Sequence, residues 1–440
     1  MRTHLANATY GVLDYAAYPI GMLIVAPIVL HNLGTARYGV WAVVTATVSM
    51  GSMIASGFGD ANIQQVASQR SAGEYGALLR TVRSLIGINL VSATVLSFIA
   101  WMLVPSVSHR LASSDPVLQR DCIWSLRIAC VLIWVRTQES VCISTQRAFE
   151  RYGAAVRISV LARMLSLAVA AGLTYFFPSI TVVVASAALI NLLGTLLQFI
   201  HLRRLIGFHS IAPAFDRAAL KALLSFGAFS WLQAVSSVVV SQTDRLFLGV
   251  SLGASAVASY ALCTQIAQPI YGVAAAGLHF LFPYLSGRIS SSSPDVRKAV
   301  LIAFACNVFF VVAGALTLLL FGRRILHMWA GEAIPQSSLS LLPLIVWGFS
   351  LLALNVTATY ALFALGRVRV VTSLNLAGGL VMLLLMVCLL PRFGTRGMAM
   401  ARLCYGLITL ILYFPLVRHL RMRQHAVPPL QATRPACEES

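Results

Sequence analysis

Apolar runs of about twenty residues recur along this chain of 440 residues, and they restrict what it can fold into. Residues 158–177, 182–200 and 371–390 are three of the clearest. Each is close to the roughly 20 residues that cross the hydrocarbon core of a bilayer. Charged residues make up 10% of the chain and hydrophobic ones 59%, whereas a soluble domain carries about 25% charged residues. The expectation is an all-α, polytopic membrane protein. Twelve spans are expected near 8–30, 38–57, 84–105, 122–142, 158–177, 181–200, 223–248, 255–282, 299–321, 339–362, 371–391 and 397–417. The first run extends to about Leu30, too long for a signal peptide, so it reads as an uncleaved helix.

The net charge is +19. Short basic loops on a membrane protein set its orientation, so this excess does not point to nucleic acid. With the N-terminus in the cytoplasm, twenty Lys and Arg fall in inner segments and seven in outer loops. That bias predicts an even number of helices and both termini inside. Five arginines remain within the apolar runs.

No loop is long enough to be a folded domain. The longest connections, residues 58–83 and 201–222, are basic, and each is expected to hold a short surface helix. The chain divides into a first lobe (1–205), a linker (206–222), a second lobe (223–423) and a polar, Pro-containing tail (424–440) expected to be disordered. A weak internal repeat fits this division. LGTARYGVW starts at Leu33 and LGASAVASY starts at Leu252, 219 residues later and close to half the chain. Six helices per half would relate the lobes by an axis along the membrane normal.

The eight cysteines include no C-x-x-C pair, so neither a zinc site nor a redox motif is expected. There is no G-x-x-x-x-G-K-[ST], which excludes nucleotide hydrolysis by a P-loop. No long outer loop carries paired acids, which argues against a membrane glycosyltransferase or polymerase. No cofactor or metal and no enzymatic activity is expected.

Arg127, Arg136, Arg163, Arg245 and Arg402 are the intramembrane arginines. Intramembrane charge is costly and tends to face a protein interior or a watery cavity. A planar guanidinium also suits bidentate phosphate binding. These five are candidates for a cationic cavity, while Arg163 and Arg402 lie near enough to helix ends to snorkel instead. Arg136 and Glu139 share a helix face and can pair. Asp14, Asp244 and Glu139 are the intramembrane acids and the candidates for carrying a coupling ion, unless an arginine already holds them. Asn7, Gln233, Gln242, Gln265 and Gln268 could bind sugar hydroxyls or join helices.

The runs LGTARYGVWAVV and IASGFGDANIQQVASQR, with FGAFSWLQAVSSVVVSQTDRLFLGVSLGASAVASYALCTQIAQPI and FPYLS in the second half, resemble a known family. It is the O-antigen and exopolysaccharide repeat-unit flippases of the multidrug/oligosaccharidyl-lipid/polysaccharide exporter superfamily. The resemblance covers about residues 8–416. It implies two six-helix lobes around a central cavity, alternating access, and translocation of undecaprenyl-diphosphate-linked oligosaccharide across the bacterial inner membrane. It also implies membrane lipids as surroundings, and the polymerase and glycosyltransferases of the same pathway as partners. A small-molecule antiporter of the same fold is the other reading, and the charge of the cavity separates the two. The first two helices carry no intramembrane arginine, so the arginines that peptidoglycan-precursor flippases use there have no counterpart here.

Overall fold

The computed structural model describes residues 2–113, 115–207, 209–278, 281, 284–285, 296–331 and 334–426, without the side chains of 2–9, 11–16, 226, 229–230, 233, 239 and 421–426. The described residues form helices and short connections. The first half holds α1 (Arg2–Leu33), α2 (Thr35–Ala55), α3 (Gly59–Ser71), α4 (Tyr75–Leu111), α5 (Pro116–Ala148), α6 (Tyr152–Thr174) and α7 (Ile180–Leu205). The second half holds α8 (Arg217–Leu252), α9 (Ala254–Leu278), α10 (Val296–Ala330), α11 (Gln336–Ala364), α12 (Val368–Phe393), α13 (Thr395–Thr409) and α14 (Tyr413–Ala426).

Eight of these segments are long and apolar enough to cross a membrane by length and composition alone. α5, α8, α9 and the apolar part of α1 bring the described long helices to twelve, six in each half. α5 misses the hydropathy threshold because Arg127, Arg136 and Glu139 interrupt it, yet it runs unbroken for 33 residues. Pro105 in α4 and Pro343 in α11 likewise leave their helices continuous. The helices overrun the apolar stretches at both ends. α8 begins at Arg217, six residues before the expected span, because the Asp216 side chain accepts a hydrogen bond from the Ala219 N–H (2.9 Å) and caps the first turn.

One of the two expected short helices is present, α3, with Asp60, Gln64, Ser68 and Ser71 exposed and its other face anchored on the bundle. α3 buries Ala61, Asn62 and Val66. The Asn62 amide donates to Ser144 Oγ (2.9 Å) and Thr145 Oγ1 (3.0 Å) of α5. The 201–222 connection instead divides between the ends of α7 and α8 and an irregular stretch. That stretch is fastened to α4 by Arg83 Nε on the Ala212 carbonyl (2.9 Å) and by Ala214 N–H on the Arg83 carbonyl (3.2 Å). Residues 427–440 lie outside the described residues.

The internal repeat is structural. Gly34, between α1 and α2, has φ 80 and ψ 169. Gly253, between α8 and α9, has φ 83 and ψ 178. Both occupy a region open to glycine and strained for other residues. These turns mark one end of the molecule, the turn end. The opposite end carries α3, one helix length from the Gly34 turn along α2, and α14. At the turn end the lobes touch closely, and a Cβ at Gly39 would overlap the carbonyl oxygen of Ala254.

Core packing follows the same polarity. One continuous apolar core joins both lobes in the turn half, through residues such as Val29, Trp41, Leu126, Val257, Tyr260, Leu341 and Met398. Toward the other end it splits. Leu78, Val82, Ile86 and Val141 form a first-lobe cluster, and Val300, Val356, Leu362 and Leu412 a second-lobe one. α8 spans the split, with Leu223 in the first-lobe cluster and Trp231 Nε1 donating to the Ile54 carbonyl (2.8 Å). The outward faces carry large exposed apolar side chains such as Phe98, Phe309, Leu320 and Phe414, as lipid contact requires.

Candidate functional site

Two cavities open where the shared core ends. The first, of about 380 Å³, lies within the second lobe among α8, α9, α11, α12 and α13. Its wall is polar for a membrane interior and includes Ser236, Ser241, Thr264, Asn355, Thr359 and Asn375. Its charged lining residues are Asp244, Arg245 and Arg402. Helix packing leaves Asn355 Oδ1 and Thr372 Oγ1 without a hydrogen-bond partner among the described residues. The second cavity, of about 480 Å³, lies between the lobes and is lined by apolar groups of α1 and α9, including Pro19, Ile20, Met22, Val273 and Ala276. Ile20 and Val273 are themselves exposed. Arg245 and Gln268 line both cavities.

Asp244 and Arg402 form a buried ion pair. Arg402 Nη2 donates to Asp244 Oδ2 at 2.6 Å, with side-chain exposures of 5% and 1%. The guanidinium also donates from Nε to Tyr260 Oη (3.1 Å) and from Nη2 to the Val240 carbonyl (3.2 Å). Its Cζ lies 5.0 Å from the centre of the Phe349 ring. The second carboxylate oxygen, Oδ1, accepts the Arg245 backbone N–H (2.8 Å). Removing either partner would leave a buried charge uncompensated. Arg402 is therefore not snorkelling, and Asp244 is not a free acid. Arg245, adjacent in sequence, points about 100° away around the helix. Half-buried, it has no carboxylate partner among the described residues, so it is the unneutralised cation of the cavity.

The first-lobe candidates lie elsewhere. The Arg127 guanidinium is flanked by the rings of Trp101 (5.1 Å) and Trp124 (5.3 Å), two partly exposed residues of α4 and α5. Arg136 and Arg163 are half-buried and Glu139 is buried, and none of these residues lines either cavity. Asp14 lies in α1 outside the described side chains, as do Asn7 and Gln233. Gln265 accepts a hydrogen bond from Tyr38 Oη (2.9 Å) and joins α9 to α2 across the lobes. The tyrosines of the wall, Tyr271 and Tyr360, had no signal in the sequence beyond their helical spacing to Gln268 and Val356.

Residues 6–288, more than half the chain, match the polysaccharide biosynthesis protein family. The chain belongs to that family. Over 416 residues it is 23% identical to the "Putative O-antigen transporter" of Shigella flexneri, covering 90% of this chain and 93% of that one. Among solved structures, the lipid II flippase MurJ in an inward closed conformation superposes with a TM-score of 0.73 at 12% identity, over 96% of this chain and 90% of that one. An inward-facing multidrug resistance MATE transporter superposes with a TM-score of 0.69 at 13% identity, over 95% of this chain and 100% of that one. These likenesses give the fold, two six-helix lobes of the transporter type. The family member described here is a multi-pass membrane transporter of polysaccharide biosynthesis, and its relatives are transporters rather than enzymes.

Proposed function

We propose that the chain flips an undecaprenyl-diphosphate-linked oligosaccharide across the bacterial inner membrane by alternating access, with both termini in the cytoplasm. The observation that carries this reading is the meeting of a polar and an apolar cavity at Arg245. Such a substrate has three parts: a hydroxyl-rich sugar, a diphosphate and a hydrocarbon tail. The hydroxyl and amide groups of the first cavity suit the sugar. The apolar cavity, with the exposed Ile20 and Val273 in its wall, suits the tail. The guanidinium between them suits the diphosphate. The shared core at the turn end and the split cores opposite correspond to a carrier closed on the outer side.

The other reading, a small-molecule antiporter, fits less well. A cavity for a drug cation favours net acid, whereas this one presents two arginines and one aspartate. The polymerase and glycosyltransferases of the same pathway would supply and consume the flipped lipid. The test is complementation of a strain lacking its own flippase. Arg245→Ala should lower surface polysaccharide to background with the protein still in the membrane, and Arg245→Lys should restore it only partly, since an ammonium lacks the planar fork. Normal surface polysaccharide from Arg245→Ala would remove this residue from the site.

A further inference from the structure

A lipid-linked diphosphate diester carries two negative charges, one on each phosphate, and in the structure the cavity offers it one unneutralised cation. Arg245 is that cation, while Asp244 neutralises Arg402. Both members of the buried pair border the cavity wall. Arg402 also retains capacity. Nε and Nη2 are engaged by Tyr260, Val240 and Asp244, and no described residue accepts from Nη1.

We infer that Asp244 is a built-in counter-anion that holds Arg402 in the empty carrier and is displaced when a substrate phosphate takes its place, so that Arg402 is the second phosphate-binding cation. This rests on the diphosphate reading above. Asp244 can leave the guanidinium without losing every partner, because Oδ1 stays on the Arg245 backbone N–H. One phosphate then sits on Arg245 and the other on Arg402, and the two charges are matched by two guanidinium groups. Arg402 is buried whereas Arg245 is half-buried, and an internal anion offsets the cost of holding the more buried guanidinium in the empty site. The competition has a second effect: it keeps the loaded state from being bound too tightly to release its cargo.

The test measures binding of farnesyl diphosphate to the full chain in nanodiscs, with farnesyl monophosphate for comparison. Asp244→Asn keeps the shape and removes the competing charge, and it should tighten the diphosphate at least about tenfold while changing the monophosphate less. Asp244→Asn combined with Arg402→Gln should lose that gain. An infrared difference spectrum of the unaltered protein on adding farnesyl diphosphate needs no substitution, and it should contain a carboxylate change. Unchanged or weaker binding by Asp244→Asn, a gain that persists in the double variant, or no carboxylate change would each overturn the exchange and leave the flippase reading standing. If the unaltered protein shows no saturable diphosphate binding, the functional reading itself fails, and the exchange with it.

Discussion

Arg127 and Arg245 satisfy the same sequence criterion, an arginine inside an apolar helix, and they end in different surroundings. Arg127 in the first lobe is sandwiched between two partly exposed tryptophans on an outer face. Arg245 in the second lobe is at the junction of two cavities. The difference lies in what each helix packs against. α5 buries many of its residues, and some of its polar groups bond to neighbouring helices. Gln146 donates to Gln198 (2.6 Å) and Asn89 to the Thr137 carbonyl (3.2 Å), which ties α5 to α7 and α4. α8 runs along the gap between lobes and exposes part of its polar face to open space. A repeated fold has divided its tasks, with rigidity in one half and the polar chamber in the other.

The largest expected effect tests the second lobe's ion pair. Arg402→Ala should cost about 3–5 kcal/mol, because it leaves the Asp244 carboxylate buried and unpaired. Thermal unfolding in detergent checks this, and removing Asp244 as well should recover part of the loss. A variant as stable as the parent would mean that water already reaches the pair.

The next contrast lies at the turn end, where the repeat is closest. Gly39 abuts the Ala254 carbonyl, whereas its counterpart 219 residues later, Ala258, already carries a side chain. Gly39→Val should cost about 1–3 kcal/mol by overpacking, and it should raise labelling of a cysteine placed at Gln265 from the outer side. Full stability with unchanged labelling would show that the lobes do not press together there.

The smallest effect is expected in the first lobe. Arg127→Ala should leave export within about twofold of the parent and cost about 0.5–1 kcal/mol, the range for a partly exposed cation–π contact. Loss of surface polysaccharide at normal membrane abundance would return Arg127 to the transport path and erase the contrast between lobes.

Much of the architecture was legible in the sequence. Apolar runs located the spans, and Leu-Gly at half-chain spacing located two equivalent turns. The helix ends were less legible, since α8 is started by a capping aspartate outside its apolar stretch. So was the anchoring of α3, whose low hydropathy marks a surface element and gives no sign that Asn62 bonds to α5. Charge content flagged five arginines and could not separate them. The partner of Asp244 lies 158 residues away on α13, and local spacing carries no trace of such a pairing.

The asymmetry of the core has a mechanical meaning. Helices of 33–37 residues, such as α4, α5, α8 and α10, are about 50–55 Å long at 1.5 Å per residue. α8 stays with the first lobe through Leu223 and Trp231. The others share one core near one tip and belong to separate clusters at the other, and under the alternating access proposed above they would work as levers. A rocking of about 10° about the fastened tip sweeps the free end of such a rod through roughly 9 Å, enough to admit a sugar ring. Little side-chain rearrangement is needed at the fulcrum, so the fine packing there can be kept while a bulky cargo is let in at the far end.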